Sequence, residues 1–143
     1  MVKHWFILML IGMVVLGWNA CTSAEAEQQG YLHKDLSEQM DALAVLQGSI
    51  GEELNKGTPQ NADWLVEGLD SVLLLINERL NEHPSLLRPF DKYYDQKLKT
   101  PIHSLREAIA TGDTVAARRN YILLVDRCNS CHKEHSVEEK AHY

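Results

Sequence analysis

TGDTVAARRNYILLVDRCNSCHKEH, residues 111–135, holds a sharp element boundary and the densest cluster of reactive side chains in the chain. Gly112 suits the left-handed end of one helix, and Asp113 suits the N-cap of the next. From there Val115, Tyr121, Ile122, Leu124 and Val125 form the inward side of a helix that runs into Cys128. Two thiols and two imidazoles then fall within eight residues: Cys128, Cys131, His132 and His135. At about 100° per residue the four share roughly a third of the helix circumference.

The same helical period extends outward through the chain. Leu32, Leu36, Met40, Leu43, Leu46, Ile50 and Leu54 make a first stripe, ended by Gly57, Thr58, Pro59 and Gln60. Trp64, Leu65, Leu69, Val72, Leu73, Ile76 and Leu80 make a second, with all seven expected inward. HPSLLRPF, residues 83–90, breaks the chain again, because two prolines this close do not suit a helix interior. A third helix is expected from about Asp91 to Ala110, with Tyr94, Leu98, Ile102, Leu105 and Ile109 on one side. Pro101 falls inside it. Either it kinks that helix, or Thr100 caps a fresh start with Pro101 at the first helical position. No segment alternates with period two, and there is no internal repeat. The fold class expected is all-α. Helices of about 20 residues with short connections predict an antiparallel, up-down-up-down four-helix bundle. The core of such a bundle has room for one flat cofactor between facing helices.

The first residues do not belong to that pattern. Lys3 is followed by an apolar run from Trp5 to Leu16, interrupted only by Gly12. The run is shorter than the roughly 20 residues a bilayer span needs. Small residues follow at Gly17, Ala20, Thr22, Ser23, Ala24 and Ala26. This is the tripartite pattern of an export signal over residues 1–20, with cleavage as late as Ala26; the blander reading is a short anchor or a buried helix. The Ala20–Cys21 pair also resembles a bacterial lipobox, though Trp18 stands where a Leu-like residue is expected. Lipidated Cys21 would then be a membrane tether. Both routes lead out of the cytoplasm, to the periplasm. Residues 21–31 read as a linker, and residues 32–143 as one domain. The net charge is −6, and loss of the signal with Lys3 makes it more negative. Such a chain is a poor partner for nucleic acid, where phosphate neutralisation dominates affinity. An acidic face instead steers it toward basic partners.

Three chemistries compete for the cluster. Zinc needs four ligands in a tetrahedron, and structural zinc modules draw two of them from a separate segment. No second cysteine pair exists here, and Cys21 lies far away in or beside the signal. A redox disulfide between Cys128 and Cys131 would sit near a helix C-terminus, where no helix dipole favours a thiolate. Cys-x-x-Cys-His is the spacing of c-type haem attachment. Two thiols three residues apart match the two vinyl groups of the porphyrin, and the next residue sets an imidazole over the ring centre. Export agrees with this, because such haems are attached outside the bacterial cytoplasm.

CNSCH in the last helix of an expected four-helix bundle, with one Met in the first helix, resembles the cytochrome c-prime family, especially its low-spin, methionine-ligated relatives. The resemblance covers about residues 32–136. It implies one covalently attached haem c on Cys128 and Cys131, with its iron ligated by His132, and redox proteins as partners. Members of that family often pair as homodimers, although no apolar stripe here demands it. The chain departs from the family at His135 and Ser136, where an aromatic and a basic residue are common.

What fills the other face of the iron sets the function. Met1, Met9 and Met13 lie in the signal, so Met40 is the one methionine beyond it. In an antiparallel bundle the end of the last helix is level with the start of the first. Met40 is about 12 Å into its helix and His132 about 9 Å from the end of its own, at 1.5 Å per residue. Met40 therefore reaches the cluster from the opposite side, unless it is simply a flexible core filler. With Met40 ligated, the expected function is electron transfer. Without it, the iron is open to nitric oxide or carbon monoxide. A zinc-binding structural lipoprotein is the third reading. His33 and His103 are weaker ligand candidates. His135, Arg118, Arg119 and Arg127 are candidate partners for haem propionates, each with a solvated helix face as the simpler reading. Nothing pairs a nucleophile with a base, so no enzymatic reaction is expected.

Overall fold

The computed structural model describes residues 35–137 and residue 141. The expected export signal at residues 1–20 and its expected cleavage zone, Cys21, the expected linker at 21–31, Leu32 and His33 lie outside the described residues. Those described are all-α, with no strand among them. No helix among them is long and apolar enough to cross a membrane.

Helix α1 covers 35–56 and buries Leu36, Ile50 and Leu54, with Met40, Leu43 and Leu46 partly buried against the core. It stops at Gly57, whose φ of +77° is a left-handed conformation that glycine adopts without steric cost. Pro59–Ala62 is a single 3-10 turn with proline at its start, and α2 follows at Asp63–Arg79. Leu65, Val66, Leu69, Leu73 and Ile76 are its buried face. Trp64 is 67% exposed, contrary to the expectation that it points inward. Adjacent residues sit about 100° apart on a helix, and Val66 rather than Trp64 shares the inward face with Leu65.

The loop after α2 is tied to the next element by Asn81. Its carbonyl accepts from the Phe90 N–H at 3.2 Å, and its side-chain Oδ1 accepts from the Asp91 N–H at 2.7 Å. Helix α3 (Phe90–Tyr93) then leads through a π-helical segment, Tyr94–Leu98, into α4 (Lys99–Ala110). Pro101 therefore neither begins a helix nor follows a cap at Thr100: it is the third residue of α4. A proline ring collides with the carbonyl four residues earlier in a regular α-helix, which here belongs to Lys97. The wide turn just before α4 changes that geometry, since the Lys99 N–H donates to the Tyr94 carbonyl five residues back rather than four.

Gly112, at φ +72°, ends α4 as expected. The Asp113 carboxylate accepts from the Ala116 N–H at 2.9 Å and caps α5 (Thr114–Glu134), a contact worth about 1 kcal/mol. Ala117, Tyr121, Leu124, Val125 and Cys131 are its buried residues. Val115, 81% exposed, and Ile122, also exposed, correct the expectation that both face inward. Ile50, Leu54, Val66, Ile76, Leu98, Leu105, Ile109, Leu124 and Val125 form the most deeply buried core. Each such Leu or Ile contributes about 1.5–3 kcal/mol by leaving water.

Helices α1 and α5 run antiparallel. Asn55 Oδ1 accepts from Arg118 at 2.8 Å, while Gln47, earlier on α1, meets Tyr121, later on α5. Residue numbers fall on one helix as they rise on the other, so the start of α1 meets the end of α5.

Candidate functional site

Where those two ends meet, a cleft opens between α1, α2 and α5. Its walls include Met40, Leu43, Ala44 and Gln47 from α1, Leu69 and Leu73 from α2, and Cys128 and His132 from α5. The placement follows from the helical period. Met40, Leu43 and Gln47 recur at three- and four-residue steps on one face of α1, while Cys128 and His132 stand one turn apart on α5. The cleft thus gathers Met40, Cys128 and His132, three of the four residues singled out in the sequence. Cys131 does not line it. That side chain is buried and lies toward Tyr93 of α3, whose phenol is pushed up to about 12, chiefly by burial and then by Cys131 among its neighbours.

Both cysteines are free thiols. Burial pushes Cys128 up to about 11 and, helped by Cys128 itself and Glu134, pushes Cys131 up to about 12. A reactive dithiol depends on a depressed value, and burial here acts the other way. Among the described residues no group of three or more His, Cys, Asp and Glu side chains forms a metal cluster.

His135 is the C-cap residue of α5 and is buried. Its Nδ1 accepts from the Leu87 N–H at 2.8 Å, which ties the helix end to the loop before α3. This gives His135 a structural role through Nδ1. Burial, first of several causes, lowers its pKa, in keeping with a neutral ring that accepts through Nδ1. Past it, the Val137 N–H donates to the His132 carbonyl at 2.8 Å and the Ser136 N–H to the Lys133 carbonyl at 3.3 Å. This pair is a Schellman ending, with Ser136 at φ +59° in the position that glycine normally takes. Arg118 and Arg119 line a different groove, beside Leu54 and Gly57, at the opposite end of α1 and α5. His103 is exposed on α4.

Three features were missed in the sequence. Gln47, a buried polar residue on the cleft wall, donates through Nε2 to the Tyr121 hydroxyl at 2.6 Å; that hydroxyl donates back to the Gln47 carbonyl at 3.0 Å. Gly51 makes room for the pair, since a Cβ there would lie 2.7 Å from the Tyr121 oxygen. The sequence signal was a glutamine two turns along the Met40 stripe. Asn129, a spacer between the two cysteines, donates through Nδ2 to the Ala141 carbonyl at 3.2 Å and accepts from the Ala141 N–H at 2.8 Å. These contacts hold Ala141 at the cleft, which it helps to line. Finally, the Tyr93 hydroxyl donates to the Arg127 carbonyl at 2.6 Å, one residue before Cys128. Comparisons of the chain with protein-family models, with curated proteins and with solved structures find no match.

Proposed function

We propose that this chain is an exported monohaem c-type cytochrome that transfers electrons, built as an antiparallel up-down-up-down four-helix bundle. Cys128 and Cys131 would hold the haem, and His132 and Met40 its iron. The observation that carries this reading is the common cleft of Met40, Cys128 and His132. A thioether and an imidazole on facing helices are one donor pair that makes a haem iron six-coordinate, and the cysteine beside them would supply a covalent hold. Leu43, Ala44, Leu69 and Leu73 give the apolar lining that a porphyrin needs.

The donor set therefore fits a c-type haem. A bound haem supplies a one-electron iron couple whose potential is raised by Met/His ligation. The cleft itself is small, about 110 Å³, against the roughly 300 Å³ at which ligand pockets begin. The ring is accommodated only with the walls farther apart, and Cys131 must turn toward it from the side of Tyr93. In this reading Met40 and His132 would hold the iron, the Gln47–Tyr121 bonds keep Met40 level with Cys128, and His135 fixes the end of α5. The five-coordinate gas-binding alternative needs Met40 away from the iron, whereas Met40 stands on the cleft wall. A zinc site is less well supported, because its four tetrahedral ligands would all have to come from one stretch of one helix.

Export through the signal at residues 1–20, with or without a lipid on Cys21, belongs to the same proposal. A pyridine haemochrome assay on protein from a host competent in cytochrome maturation tests it. The expected result is one haem c per chain; a colourless protein of unmodified mass sinks the reading.

A further inference from the structure

We propose that the groove between the α3 end of the third helical stretch and the end of α5 is a docking surface for the carboxylate-rich face of a redox partner protein. The redox character of that partner rests on the haem reading, while the charge of its face does not. The groove measures about 470 Å³ and is lined by Arg88, Lys92 and Lys97, with Tyr93, Gln96 and Glu134 between them. Three cations against one carboxylate make a positive site on a chain of net charge −6.

Of the neighbouring acids, Asp95 pairs with Lys99 at 3.6 Å, and neither Asp91 nor Asp95 lines the groove. Arg88, Lys92 and Lys97 are exposed, and no described residue forms an ion pair with them. Isolated lysines on a helix face are ordinary. Here the three cations share one concave surface, and a concave site of one sign focuses the field and steers an oppositely charged partner.

The groove also lies beside the candidate haem site. Tyr93 lines it, and the same side chain reaches α5 at the Arg127 carbonyl, next to both cysteines. An acidic face seated there comes within one aromatic side chain of the helix turn that carries the thiols. The acidic remainder of the molecule repels that face elsewhere, so charge selects both the partner and its orientation.

Heteronuclear NMR titration of the purified full chain with an oligoglutamate peptide tests the proposal, with inorganic phosphate and oligolysine as the other arms. The expected result is amide shifts confined to residues 88–97 and 134–135. The affinity falls roughly tenfold as salt rises from about 0.01 to 0.15 M and the Debye length shrinks from about 30 to 8 Å. Lys92→Gln with Lys97→Gln, at two exposed positions, abolishes the shifts, and Glu134→Gln strengthens binding. Shifts scattered over the surface, insensitivity to these variants, groove binding by oligolysine, or phosphate reproducing the effect while oligoglutamate does not would each overturn it. A chain without haem that still binds oligoglutamate at the groove sinks the haem reading and supports this one.

Discussion

Gln47 and Tyr121 are bonded to each other twice, amide to hydroxyl and hydroxyl to backbone carbonyl, across the contact between α1 and α5. Met40 stands about two turns before Gln47, and Cys128 about two turns after Tyr121, ~10.5 Å in each case. Because the helices are antiparallel, both displacements point the same way. The pair therefore sets the helix register that brings Met40 level with Cys128. Tyr121→Phe removes both bonds and leaves buried polar atoms of Gln47 without the hydroxyl. The expected cost is about 1–3 kcal/mol, read as a lower urea midpoint at unchanged slope. An unchanged midpoint would show that the register is held by apolar packing alone.

Met40→Ala tests the sixth ligand. In the loaded protein the variant loses the sulfur-to-iron charge-transfer band, gains high-spin ferric bands and binds carbon monoxide in the ferrous state. Met40 is only partly buried, so the stability loss stays below the about 2–5 kcal/mol of a fully buried methionine. A spectrum identical to that of the parent would mean that another group holds that face.

His135 gives the fold a pH dependence of definite sign. Burial holds its folded pKa below the ordinary 6.5, so the unfolded chain takes up the proton more readily. The stabilisation from the neutral ring is complete above about pH 6.5 and is lost as the pH falls through the folded value. His135→Gln keeps an acceptor for the Leu87 N–H and cannot titrate. Urea midpoints measured between about pH 7.5 and 5 should fall more steeply in the parent than in this variant; parallel profiles would refute the assignment.

Ser136 occupies a left-handed position at φ +59°, which costs an L-residue roughly 1–2 kcal/mol. Ser136→Gly keeps both closing hydrogen bonds of the helix end and removes the side-chain conflict. Glycine is also freer in the unfolded chain, which offsets part of the gain. A net increase of about 0.5–1 kcal/mol in unfolding free energy is expected, and a loss of stability would contradict the geometry.

Much of the site was legible because one helical period governs nearly the whole chain. Once Gly57, Gly112 and Asp113 are read as helix ends, the faces of Met40 and His132 follow from counting. The errors came where counting is coarse. Counting alone does not say which neighbour shares the inward face of Leu65, and it is Val66 rather than Trp64; large apolar size did not mean burial at Trp64, Val115 and Ile122. The π turn before Pro101 left no trace in local propensity, since it resolves a clash between a ring and a carbonyl that depends on the path of the chain. Contacts such as Asn129 with Ala141 or His135 with Leu87 join segments far apart in sequence, and periodicity carries no information about them. Cys131 was placed on the helix face shared with Cys128 and His132, but its neighbourhood at Tyr93 required the packing of α3 against α5.

The burial of Cys131 bears on the order of events in biogenesis. Its sulfur is closed in by the same packing that makes the chain stable, so an attachment enzyme cannot work on it in the finished fold. Under the proposed haem attachment, a bond to that sulfur would have to form before the chain closes, or during a brief opening of its last helix. On that reading, a chain that closes before attachment would keep this sulfur sealed.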